Sequence, residues 1–161
     1  MSTRDGTTQY ITRRTQLVAR IVLGVAVGLT VGIGGYTFIY ARGYSYIFND
    51  PAECVNCHIM NKEFDAWAKS SHKAVAVCND CHAPHHAPVE KLFVKARNGF
   101  NHSLKFTTGK FHEPIQITEH NRRVTERACR YCHQDIVNQI DHSQKEPLSC
   151  IRCHSNVGHS T

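Results

Sequence analysis

The chain has only one long apolar run. Ile21 to Tyr40 is twenty residues without a charge, and no second stretch like it follows. A second membrane-spanning helix is thereby excluded. Methionine is scarce, two in 161 residues, so Met60 stands out where it falls. Acidic residues are fewer than basic ones, 13 against 19, for a formal net charge of +6. No cysteine is left over. The eight present fall into the pairs Cys54/Cys57, Cys78/Cys81, Cys129/Cys132 and Cys150/Cys153, which leaves no odd thiol to explain.

What is there is more specific. Each cysteine pair is followed at once by a histidine: His58, His82, His133 and His154. A disulfide framework gives no reason for that histidine. Zinc ligation would tolerate it without demanding it four times. Cys-x-x-Cys-His is the spacing that attaches a c-type haem, through two thioether bonds and an iron-ligating imidazole. Four motifs imply four haem c groups. Their propionates add about eight negative charges, so the basic composition is poor evidence for a nucleic-acid partner, and none is expected. The residues after Tyr40 must wrap four macrocycles, which then form most of the core.

Residues 1–16 read as a polar, weakly structured tail and 17–41 as a transmembrane anchor, about 30 Å of helix over Ile21–Tyr40. Arg4, Arg13, Arg14 and Arg20 precede the run, which predicts a cytoplasmic N-terminus and a periplasmic haem domain over 42–161, single-pass in a bacterial inner membrane. Ala41-Arg42-Gly43 is a weak cleavage site, and the run is long for a signal peptide. Gly24, Gly28 and Gly32 form a small-residue stripe, read equally as a helix–helix contact in an oligomer or as ordinary membrane glycine. Asp50-Pro51 predicts a turn into the first motif. Short helices are expected over 61–72, 89–106 and 122–133, with loop over 107–121. The fold class is thus mainly α: one anchor helix and a small tetrahaem domain with much loop.

The motifs form an internal repeat. The first two lie close in sequence, as do the last two, and a histidine shortly precedes the second member of each pair: His72 and His142. Two di-haem modules follow, about 43–106 and 107–161. Twelve histidines are present. Among those outside the motifs, His72, His142 and His159 are the expected distal ligands, with His112 and His120 as fallbacks. The expected pairing gives His142 to haem 2 with His82, His159 to haem 3 with His133, and His72 to haem 4 with His154. At haem 1, Met60 is either packing or an iron ligand; a thioether raises the potential relative to bis-histidine.

The anchor, Cys54-x-x-Cys-His-x-Met60, Ser71-His72 before Cys78-Asn-Asp-Cys-His82, Lys95-Ala-Arg-Asn-Gly-Phe-Asn-His102 and Cys150-Ile-Arg-Cys-His-Ser-Asn-Val-Gly-His159 together resemble the NapC/NirT/NrfH family of membrane-anchored quinol dehydrogenases. The nearest branch is the small subunit of cytochrome c nitrite reductase. The resemblance implies that Met60 ligates haem 1 in place of His58, that the other haems are bis-histidine, and that a quinol site lies beside haem 1 with Lys95 near the substrate. Some members have aspartate where this chain has His102, covering the distal side of haem 1; here His102 caps the iron, takes a quinol proton, or does neither. The implied activity is menaquinol oxidation with electron transfer to a periplasmic multihaem reductase, first of all the pentahaem nitrite reductase. A related dehydrogenase serving nitrate or trimethylamine N-oxide reductase, and a simple anchored electron carrier, are the alternatives.

Overall fold

The computed structural model describes residues 3–140 and 148–159. The expected ligand His142 lies outside them. The chain divides into two units, 1–43 and 44–161.

The first unit is one helix, α1, Thr3–Tyr40. Its segment Thr12–Tyr40 has a mean hydropathy of 2.1 and is long and apolar enough to cross a membrane. The polar residues expected to be a weakly structured tail are helical from Thr3 onward. The apolar run supplies the nucleus, and adding preceding residues costs only propagation.

The second unit is a chain of short helices, and no strand occurs among the described residues. A 3-10 turn at Pro51–Asn56 opens where Asp50 accepts the Ala52 N–H at 2.9 Å, with Pro51 in the first position, where its missing N–H costs nothing. A second 3-10 turn, His58–Met60, leads into α2, Asn61–Ala68. Ser70 caps a further turn at Ser71–Ala74. Helix α3 is Cys78–His82, and its Asp80 carboxylate reaches back to the Val77 N–H at 2.9 Å. Helix α4, Pro88–Thr108, starts on a proline and stops at Gly109, whose φ of 65° is open to glycine at no steric cost. Helix α5, Glu119–Cys132, is capped by Thr118. Helices α6, Gln134–Val137, and α7, Cys150–Cys153, are single turns.

Side chains make very little core. The buried apolar residues are Ala83, Val94, Val124 and Ala128, 1, 1, 1 and 6% exposed. They come from the end of α3, from α4 and from α5, and the Arg127–Glu90 ion pair at 2.9 Å joins the last two. The apolar residues that give α4 its helical period, Val89, Leu92, Phe93 and Phe100, are exposed. A domain of this size with four small residues inside cannot offset the entropy of ordering its backbone. Chain produced without haem attachment is therefore expected to lose the fold of 44–161: limited proteolysis should remove that region while α1 survives in detergent. A protease-resistant apoprotein with a cooperative thermal transition would contradict this.

Candidate haem and electron-entry site

Residues i, i+3 and i+4 of a helix share one face. That is the spacing of Cys, Cys and His in each motif, so a helical turn presents both thiols and the imidazole to one side. In three motifs the backbone is such a turn. The second is α3 itself. The third closes α5, with His133 N–H bonded to Cys129 O at 2.9 Å, and the fourth is α7, with His154 N–H bonded to Cys150 O at 2.9 Å. The first motif is broken. Cys57 is extended, φ −98° and ψ 116°, and the next turn starts at His58. His58 is exposed and Met60 half-buried.

All eight cysteines are free of disulfides, and among the described residues no group of three or more His, Cys, Asp or Glu side chains converges to hold a bare metal ion. The donor set fits haem. Two imidazoles on opposite sides of one iron, each bound at about 2 Å, put their ring centroids about 6 Å apart. His72 and His133 are 6.1 Å apart, and His82 and His159 are 5.8 Å apart. His159 Nδ1 also lies 3.1 Å from Glu63 O and 3.2 Å from the Glu63 carboxylate. Metal-bound histidines commonly fix their second nitrogen this way. Burial first, then His159 and His102, pull the His82 pKa down to about 4, which keeps the ring in the neutral form that binds iron.

This geometry departs from the pairing expected from the repeat. His72 faces the third motif's histidine where the fourth's was expected, and His159 faces the second's where the third's was expected. Both contacts do cross between the halves of the domain. No ring contact joins His112 or His120 to a motif histidine among the described residues. His85 and His86 instead flank Tyr131, at 4.8 and 4.1 Å between centroids.

Lys95 and His102 are seven residues apart on α4, two turns on one face. The chain entering the first motif lies along that face. Lys95 Nζ donates to Ile47 O at 3.0 Å, Phe48 O at 2.8 Å and Asn49 Oδ1 at 3.0 Å. An ammonium has three N–H groups, so all are engaged. Asn79, between the cysteines of the second motif, donates to Phe48 O at 3.2 Å and Asn49 Oδ1 at 3.1 Å. Ser45 Oγ donates to Glu53, next to Cys54, at 2.7 Å. His102 Nδ1 lies 2.9 Å from the Tyr46 hydroxyl. Burial and then Lys91 lower the Lys95 pKa, against the opposing effect of Cys54. Burial and then Lys105 lower that of His102.

The family model described as NapC/NirT cytochrome c family, N-terminal region, matches residues 13–161. The chain belongs to that family. Cytochrome c-type protein NrfH of Wolinella succinogenes is 33% identical over 150 residues, covering 86% of this chain and 82% of that protein. Cytochrome c nitrite reductase subunit NrfH of Nitratidesulfovibrio vulgaris is 33% identical over 140 residues, covering 87% and 83%. The cytochrome c-type protein TorY of Escherichia coli O157:H7 is 27% identical, covering 81% of this chain but 43% of TorY. Among solved structures, a cytochrome c nitrite reductase NrfHA complex bound to the inhibitor HQNO contains a chain that matches with a TM-score of 0.59 and 30% identity over 88% of both. The molecule is therefore a cytochrome c of the electron-transfer type with a membrane-anchoring helix.

Several site residues have no signal in the sequence: Tyr46, Asn49, Asn79 and Glu126. Glu126, on α5, accepts from Ser149 Oγ at 2.5 Å and from the N–H groups of Cys150 and Ile151 at 2.8 and 3.3 Å, capping the fourth motif's turn. Burial works against its charge, but these hydrogen bonds outweigh it and hold the carboxyl below the usual range. Glu126→Ala is expected to cost about 1–2 kcal/mol. Folding lowers this pKa, so the stabilisation is complete above the ordinary glutamate value and fades as the pH falls through the lowered one. Thermal unfolding of wild type and variant should converge in acid; a constant gap down to pH 3 would contradict the cap.

Proposed function

We propose that the protein is a membrane-anchored quinol dehydrogenase carrying four haem c groups. It oxidises menaquinol beside haem 1 and passes electrons to a periplasmic pentahaem nitrite reductase. The N-terminus is cytoplasmic and residues 44–161 are periplasmic. One observation carries the reading. The Lys95–His102 face of α4 is bonded to the segment that enters the first motif, and that motif alone has its helical turn broken at Cys57 so that Met60 becomes available. Met60 is proposed as the haem 1 ligand, with His58 released from that role.

The remaining ligands follow from the imidazole pairs: His82 with His159 at haem 2, and His133 with His72 at haem 3. His154 holds haem 4 on one side, and His142 is left as the candidate for the other. Replacing His72 or His159 by alanine should each abolish a different low-spin signal in electron paramagnetic resonance. Loss of the same signal from both variants would overturn the pairing.

Quinol oxidation releases two electrons and two protons, and a bound haem accepts electrons one at a time and holds no proton. The chain must supply the proton acceptor. Lys95 has no free N–H and stays tied to residues 47–49, so its role is to hold that segment against α4. Its lowered pKa keeps His102 neutral at neutral pH, and only its Nδ1 is engaged by Tyr46, which suits a base. With four haems retained, His102→Ala should slow quinol-driven haem reduction about a hundredfold, whereas Lys95→Leu should chiefly raise KM. Unchanged rates in both variants, followed by stopped-flow absorbance in detergent, would sink the site.

The family match extends equally to a second reading, a dehydrogenase serving another periplasmic reductase. Affinity purification from native membranes separates the two: nitrite-reducing activity should travel with the protein.

A further inference from the structure

Tyr46 has no role in the reading above, yet it is the residue most closely fitted to His102. Its ring lies flat against Gly99 of α4, midway between Lys95 and His102. A Cβ at Gly99 would meet the Tyr46 ring at 3.2 Å, so a side chain there would push the ring back by a few tenths of an ångström. The ring centroids of Tyr46 and His102 are 6.0 Å apart at 51°, and the hydroxyl is 2.9 Å from Nδ1. Lys95 ties down Ile47 and Phe48, the next residues in the chain. Tyr46 is thus held from below by Gly99 and from behind by Lys95. Burial, with Cys57 and Cys54 adding to it, pushes its pKa up to about 12; with haem attached those sulfurs are thioethers, which leaves burial as the cause. The phenol stays protonated at neutral pH.

A neutral imidazole has one N–H and one bare nitrogen, and the partner of one fixes the state of the other. We propose that Tyr46 is a positioning residue for quinol oxidation: its hydroxyl oxygen accepts a hydrogen bond from His102 Nδ1–H, which leaves His102 Nε2 bare as the proton acceptor. This rests on the quinol reading. The two quinol O–H groups react in turn: each gives its proton to Nε2 as one electron leaves, which the haems would accept, and after each transfer the imidazolium releases that proton to water while keeping the same Nδ1–H bond to Tyr46. No tautomer change is needed between turnovers. Lys105 on the same helix and His82 of α3 are the charged or titratable groups that act on or feel the ring, and neither is bonded to Nδ1.

The test uses full-length protein with four haems in detergent. Tyr46→Phe keeps the ring on Gly99 and removes the hydroxyl. It should lower kcat about five- to tenfold with KM within twofold, the loss expected for one hydrogen bond. Equilibrium binding of HQNO, read by fluorescence quenching, should weaken by a similar factor. In a His102→Gln background Tyr46→Phe should have no further effect on either readout. Wild type that neither oxidises quinol nor binds HQNO overturns the quinol reading itself. Wild type active, His102→Gln impaired and Tyr46→Phe normal overturns the Tyr46 role alone. A further loss in the double variant also overturns it, because Tyr46 would then act independently of His102.

Discussion

A helical turn that offers two thiols and an imidazole to one side is the constraint on which this domain depends. Thioether attachment fixes a large planar group to the backbone at both cysteines. The domain can then dispense with most of its side-chain core. Four small buried residues, Ala83, Val94, Val124 and Ala128, locate three helices against one another, and little else inside is made by side chains. The cost is that each attachment turn must itself be held by polar contacts. Asp80 does this for α3, and Glu126 does it for α7 from a different helix. These carboxylates stand at helix N-termini, where the backbone N–H groups lack partners and negative charge is favoured.

The one broken turn matters for the same reason. An intact turn commits its histidine to the face that carries the thiols. Extending the backbone at Cys57 releases His58 from that face and starts a new turn in which Met60 follows. One residue's conformation thus sets the first motif apart from the other three, and it does so in the motif that follows the anchor in sequence.

Much of this was legible from local pattern. The attachment motifs, the anchor, the proline at the start of Pro51–Asn56 and the glycine that ends α4 depend on neighbours a few residues away. What was not legible depends on distant partners. His72 and His159 stood out in the sequence as candidate distal ligands, and their ring contacts cross between the halves as the repeat suggested, but to other motif histidines than the expected pairing gave, because a repeat in sequence does not say how two modules cross. The apolar period of α4 was visible, yet Val94 packs and Val89, Leu92, Phe93 and Phe100 do not. Lys95 drew attention through its chemistry, whereas its surroundings show three carbonyl-type acceptors and no free donor. Glu126 lies more than twenty residues from the turn it caps, and nothing near it in the chain announces that use.

The position of His102 joins these points. A carboxylate there could accept a proton through either oxygen and would ask little of its neighbours. An imidazole brings a second nitrogen, which must be satisfied or it competes for the first. Histidine at this site therefore entails a partner for Nδ1, and Tyr46 stands at hydrogen-bond distance from it. A side chain at position 99 would crowd that tyrosine by a few tenths of an ångström, and Lys95 fixes the residues just after it. Lys95, Gly99 and His102 thus work as one face of α4. The lysine and the glycine set the tyrosine, and in the proposed mechanism the tyrosine sets which nitrogen of the histidine takes the proton.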